Sequence, residues 1–167
     1  LGQLNRYLPG LSDFPTRQKL HKLVTCRANW GNTSRVGLRL FHANLCLTLS
    51  TSEIAQRLVE LCRQGQNETA YRELFADDAI ALEPAFAPLP RTEGLEGLLA
   101  KHQYFQSSVT EWHGGSVSEP LVAGAHFSVA MTLDASYQDG IRSNMEEIAV
   151  YTVLDGKITQ EQFFYEP

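Results

Sequence analysis

From residue 50 onward the apolar positions follow two successive patterns. The first is helical. Ile54, Leu58, Leu61 and Cys62 recur at the spacing of one helix face. Ser50 or Ser52 can cap this helix, and Glu53 suits its positive N-terminus. Gly65 stops it, and Asn67 can cap a second helix whose stripe is Ala70, Tyr71, Leu74 and Phe75, ending near Asp77-Asp78. A short strand over residues 79–83 is closed by Pro84, and the run through Pro88 and Pro90 is irregular. A third helix is predicted to begin at Thr92 or Glu93. Its inner stripe is Leu95, Leu98, Leu99, His102 and Phe105, with His102 as the one polar member.

After residue 109 the period becomes two. In residues 125–137, Phe127, Val129, Met131 and Leu133 alternate with His126, Ser128, Ala130, Thr132 and Asp134. Residues 109–119 alternate more loosely around Trp112 and His113, and the Gly114-Gly115 pair there predicts a bulge. Asp139-Gly140 marks a turn. Residues 146–154 and 157–165 flank Asp155-Gly156, the strongest hairpin signal in the chain. Helix, helix, short strand, helix and about four longer strands together predict an α+β domain. About three helices should pack on one side of a curved, mostly antiparallel sheet.

The terminal hairpin mixes acids with aromatics, and alternation must place some of both on one face. Which glutamate faces inward depends on the turn. A two-residue Asp155-Gly156 loop pairs Glu146 with Tyr165 and Glu147 with Phe164. A bulged type I turn pairs Glu147 with Phe163 and Met145 with Tyr165. One residue of slip exchanges the faces. If Glu161, Phe163 and Tyr165 face the interior, the bulged version sets Glu147 beside them, so Glu147 is the expected interior acid. A carboxyl in an apolar pocket has a raised pKa and can exchange protons near neutrality, and a phenol can stabilise a developing enolate. His102 adds a group that titrates near pH 7.

Composition narrows the possibilities. The chain has 167 residues, 43% hydrophobic and 20% charged, which suits one globular domain. Its charge is uneven. Residues 1–50 hold seven Lys/Arg against one acid, Asp13, leaving seven bases and eighteen acids after them. An acidic body without a basic patch does not attract nucleic acid or anionic lipid, and no apolar run is long enough to span a membrane. Cys26, Cys46 and Cys62 form no disulfide framework and read as thiols in a reducing, cytoplasmic setting. The basic segment 1–50 is broken by Pro9, Gly10, Pro15, Gly31 and Gly37. It reads as a targeting segment, an arm for an acidic partner, or an extension the domain at 51–167 does not need; the last is favoured.

The segments YRELFADDAIALEP, EWHGGSVSEPLVAGAHFSVAMTLD and EEIAVYTVLDGKITQEQFFYE, in this order, resemble the SnoaL-like branch of the nuclear transport factor 2-like superfamily. The likeness covers roughly residues 52–166. It implies a cone-shaped α+β barrel and a homodimer formed across the sheet. That superfamily includes ketosteroid isomerases, polyketide cyclases, dehydratases, epoxide hydrolases and non-catalytic binders. By resemblance, Tyr71 matches the isomerases' helical tyrosine, Glu146 or Glu147 matches the acid on their penultimate strand, and Glu83 is the acid nearest their base.

Two functions therefore stand. One is a cofactor-free acid–base enzyme of isomerase, cyclase or dehydratase type acting on a small hydrophobic molecule. Glu147 would be its base or acid, with His102 and Tyr165 supplying hydrogen bonds. The other is a non-catalytic ligand-binding or dimerisation domain. In either, Trp112, His113, Phe163, Glu83, Tyr71 and Glu161 are the expected pocket residues. His113, His126 and a glutamate lack the spacing of a metal site, and no metal is expected.

Overall fold

The structure, a computed structural model, describes residues 48–167. All but the last three residues of the basic segment 1–50 thus lie outside the described residues. The chain runs α1 (Thr51–Arg63), α2 (Asn67–Leu74), β1 (Phe75–Leu82), β2 (Arg91–Glu93), α3 (Leu95–Ser108), β3 (Val109–Val117), β4 (Leu121–Ala123), β5 (His126–Tyr137), β6 (Arg142–Leu154) and β7 (Lys157–Phe164).

Ser50, not Ser52, caps α1. Its hydroxyl accepts from the Glu53 N–H, while the Glu53 carboxylate accepts from the Ser50 N–H at 2.7 Å, a reciprocal capping box. Replacing Ser50 by Ala is expected to cost about 1 kcal/mol; an unchanged urea midpoint would show that the cap does not matter.

Three boundaries differ from the sequence expectation. Asn67 is the first residue of α2 rather than its cap; Gln66 holds that position without a side-chain bond. The second helix stops at Leu74, because Phe75 takes extended backbone and pairs in parallel with Ile158. Thr92 and Glu93, either of which was expected to start the third helix, instead belong to the strand Arg91–Glu93 paired with β1, and α3 begins after Gly94.

The sheet has seven strands in the order β2-β1-β7-β6-β5-β3, with β4 paired to β5. Among the described strands only the β1–β7 pairing is parallel. It does not close, since β2 and β3 remain as edges, so the cone is open rather than a complete barrel. The inner face and the helices share one core built from Ile54, Leu58, Leu61, Leu74, Leu98, Phe127, Val129, Tyr151 and Ile158. No described helix is long and apolar enough to cross a membrane.

The β6–β7 hairpin takes neither of the two registers considered above. Its loop is the two-residue one, closed by Leu154 opposite Lys157, with both Asp155 (φ 52°) and Gly156 (φ 77°) in the left-handed region that such a turn needs. The ladder then shifts between Thr152 and Val153, so that Tyr151 faces Glu161, Ala149 faces Phe163 and Ile148 faces Phe164. The extra residue on β7 exchanges its faces beyond that point. As a result Glu161, Phe163 and Tyr165 look inward together with Glu147 and Tyr151, while Glu146, Ile148 and Phe164 look outward.

Candidate active site

The concave side of the sheet and the helices line an open hollow, part of a space of about 1810 Å³ that also reaches the outward-facing Glu146, Ile148 and Phe164. The whole therefore exceeds the roughly 300–1,000 Å³ of an ordinary ligand pocket. Its walls include Leu58, Phe75, Phe105, Met131 and Tyr151. An acidic group among such walls loses hydration that nothing apolar replaces, and this governs the behaviour of every ionisable residue inside.

Deepest lies Glu161 of β7, only 2% exposed. Tyr71 of α2 donates its hydroxyl to Glu161 Oε1 at 3.1 Å. Burial pushes the Glu161 carboxyl up to about 7; Lys101 and the Tyr71 hydrogen bond hold it down, while Glu83 and Glu147 push it further up. The Tyr71 phenol is itself raised well above its usual value by burial and by the Glu161 charge, so it stays a donor. Tyr151, opposite Glu161 across the ladder, is raised for the same reasons.

Glu147 of β6 follows on the same inner face. Burial, reinforced by Glu83 and opposed by Lys101, brings its carboxyl to about 7. At physiological pH both Glu147 and Glu161 are therefore poised between acid and base. Glu83, just past β1, forms an ion pair with Lys101 of α3. The Lys101 ammonium also sits over the Phe163 ring, 4.9 Å from its centroid. Tyr165 shares a hydrogen bond with Glu83, and its ring meets Phe86 edge-on at 5.6 Å. Burial first, then the Glu83 charge, keeps this phenol protonated well beyond its ordinary range.

The structure thus brings together Glu83, Glu147, Glu161, Tyr71, Phe163 and Tyr165. His102 lines the cavity too, but its ring packs against Tyr71 at 5.8 Å and lies 3.5 Å from Gln106 Nε2 rather than joining Glu147. Burial lowers its pKa, which favours the neutral imidazole. Trp112 stands at the rim, 46% exposed, against Phe105. His113 does not line the cavity. It sits where the β3 ladder shifts register, between Trp112 and Gly114, and its Nε2 meets Ser136 Oγ at 2.7 Å on the other side of the sheet.

Sequence reasoning missed Lys101. The signal was present, since Lys101 lies three residues after Leu98 and four before Phe105, which puts it on the inner stripe of α3. His102 is therefore not the one polar member of that face.

A SnoaL-like domain model matches residues 49–165. Among solved structures, a Mesorhizobium loti protein described as a candidate SnoaL-like polyketide cyclase (carbohydrate phosphatase) is 38% identical, with a TM-score of 0.67, over 70% of this chain and 100% of that one. A nuclear transport factor 2-like protein of unknown function from Burkholderia pseudomallei is 12% identical, with a TM-score of 0.58, over 71% of this chain and 92% of that one. A candidate isomerase from Bacillus subtilis is 16% identical, with a TM-score of 0.54, over 71% and 91%. The last two show likeness of fold alone. No curated protein matches the chain.

Proposed function

Since this chain belongs to the SnoaL-like domain family, and since its cavity holds a proton-exchanging carboxyl among apolar walls, we propose that it is a cofactor-free acid–base enzyme acting on a small hydrophobic organic molecule. One observation carries this reading. Glu147 sits inside the hollow at a pKa of about 7, near Glu83 and Lys101 and on the same inner face as Glu161. A base of that strength, poorly solvated, can take a proton from carbon next to a carbonyl. The electron pair moves onto the carbonyl oxygen, where a phenol or a protonated carboxyl stabilises the enolate. Returning the proton to another carbon gives an isomerisation, and attack of the enolate on a second carbonyl gives a cyclisation. Protonated Glu161, whose Oε1 still accepts from Tyr71, is the donor within the cavity, and Tyr165 can join it by turning from Glu83; neutral His102 packs against Tyr71.

Kemp elimination of a nitrobenzisoxazole reads such a base whatever the natural substrate. Glu147→Gln is expected to lower its rate about a hundredfold or more while leaving the circular dichroism spectrum unchanged. An undiminished rate would hand the chain to the other reading, a non-catalytic binder.

The same proposal pairs the chain with a second copy through the outer face of the sheet. Ile148 and Phe164, opposite each other across β6–β7, are 51% and 50% exposed there, and exposed apolar neighbours favour burial. Ile148→Glu should then sediment as a monomer where the parent sediments as a dimer. The half-buried free thiol of Cys62 is in keeping with the cytoplasm.

A further inference from the structure

The reaction proposed above moves negative charge from Glu147 onto a substrate oxygen while a proton moves the other way. The donors named for that oxygen, Glu161 and Tyr165, are neutral. The hollow also holds a cation. Lys101 of α3 lines it, and two partners fix its ammonium: Glu83 Oε1 accepts one N–H, and the Phe163 ring lies 4.9 Å away at its centroid.

The strand ladder says where that ammonium stands. Phe163 faces Ala149, so Glu147 is its diagonal neighbour across the hairpin, and Glu161 is its neighbour two residues along β7. Diagonal neighbours lie roughly 7–8 Å apart, within reach of long side chains. A cation over the Phe163 ring is thus set between the two acids, and its charge holds both carboxyls down. An ammonium carries three N–H donors. Glu83 takes one, and among the described residues no other oxygen or nitrogen accepts from Lys101. Its side chain is 22% exposed, so the remaining donor capacity is open to a ligand.

We propose that Lys101 is a catalytic residue of this site: its ammonium, fixed by Glu83 and Phe163, receives the substrate's carbonyl oxygen while Glu147 takes the proton from the adjacent carbon. This rests on the acid–base reading of the hollow and adds the class of substrate, one with an acidic C–H next to an oxygen that can take up charge. In the step, the C–H electron pair becomes the enolate double bond and the carbonyl π pair moves onto oxygen. The proton goes to Glu147, and Lys101 keeps its three protons throughout. The net charge of the interior does not change; it moves from one oxygen near the ammonium to another. A donor already fixed in a poorly solvated site stabilises such an oxygen better than one that must first turn. Glu83 holds the ammonium back from closing onto Glu147, which leaves the base free to accept.

The test sets Glu83→Gln, which keeps the ammonium, against Glu83→Gln with Lys101→Met, which removes the pair together and leaves neither charge buried alone. Circular dichroism checks the fold of both. In Kemp elimination of 5-nitrobenzisoxazole the oxygen released from the N–O bond takes the charge, and the rate is read on the plateau above the titration of Glu147. The double variant is expected to lose about tenfold or more of that plateau relative to Glu83→Gln. A change in the strength of Glu147 alone moves the midpoint of the profile, and a stronger base raises the plateau. A second readout needs no turnover. The product, 2-cyano-4-nitrophenolate, and neutral nitrobenzene are titrated at about pH 6, where Glu147 keeps its proton. The phenolate should bind the parent and Glu83→Gln about tenfold more tightly than the double variant, and nitrobenzene should bind all three alike. An equal plateau, phenolate binding that is absent or indifferent to the ammonium, or a loss shared by nitrobenzene overturns the proposal. The two readings fail separately. Glu147-dependent elimination with an unchanged plateau in the double variant removes Lys101 and keeps the enzyme. Ammonium-dependent phenolate binding without elimination keeps the oxygen seat at Lys101 and removes the enzyme.

Discussion

Raising the pH from about 5 to about 8 is expected to destabilise this protein by several kcal/mol. The cause is the pair of interior carboxyls, Glu147 and Glu161, each moved from 4.5 to about 7 chiefly by burial. In the unfolded chain these groups release their protons near 4.5, whereas in the folded protein they hold them until about 7. Between those values the folded state binds more protons, so every step up in pH favours unfolding. The stabilisation is complete below 4.5 and is lost as the pH passes through 7. Each group contributes about 3 kcal/mol, and because they repel each other the protons leave in two steps. Urea titrations across this range should show the decline, and Glu147→Gln with Glu161→Gln should flatten it. A stability constant or rising over the same window would mean that water reaches both acids. Surface carboxylates held low by a partner, such as Glu73 beside Arg57 and Asp134 beside Arg142, act below 4.5; His102, whose pKa burial lowers from 6.5, works the other way inside the window and offsets part of the decline.

Phe127→Ala is expected to cost about 3–5 kcal/mol, the loss for a large side chain cut from a close-packed core. Phe127 is 1% exposed and stacks on Tyr151 with centroids 4.6 Å apart and planes 15° from parallel. Tyr151 in turn meets Phe75, and Phe75 meets Tyr71. The vacancy therefore opens directly behind the aromatic wall of the cavity, and the chain of rings that positions the Tyr71 hydroxyl on Glu161 loses its backing. Leu121→Ala is the matched control, because Leu121 is 77% exposed and its truncation should fall within about 0.5 kcal/mol. Thermal unfolding distinguishes the two; similar shifts would mean that the Phe127–Tyr151 stack contributes nothing beyond the area of any leucine.

What could be read from the chain in advance follows the range of the interactions. Asp155-Gly156 was legible because a two-residue turn needs backbone that these residues adopt with little strain. The α1 stripe and its serine cap were legible because both are written within four residues of each other. The bulge before Glu161 was not, since Thr159 and Gln160 carry no mark of it and it arises from packing across the sheet. Glu147 does face inward with Glu161, yet by a shift on β7 rather than by the bulged turn that suggested it. The parallel pairing of Phe75 with Ile158 joins residues far apart in sequence, and no local pattern announces it. Phe75 looked like the last apolar position of a helix until that partner was known. Short β2 and β4 are three residues each, too few for alternation to register. Lys101 was overlooked for a chemical reason, because a charged residue on an apolar stripe is ordinarily assigned to solvent. Only Glu83, from another element, makes its interior position tolerable.

The place of β7 between β1 and β6 also bears on how the hollow comes into being. Every strand that flanks β7 is synthesised before it, so a nascent chain paused ahead of residue 157 has two unsatisfied edges where the inner wall belongs. Glu161 and its acidic neighbourhood can form only after that last wall slides in. On the ribosome, the hollow should form abruptly once β7 has emerged rather than grow with the length of the chain.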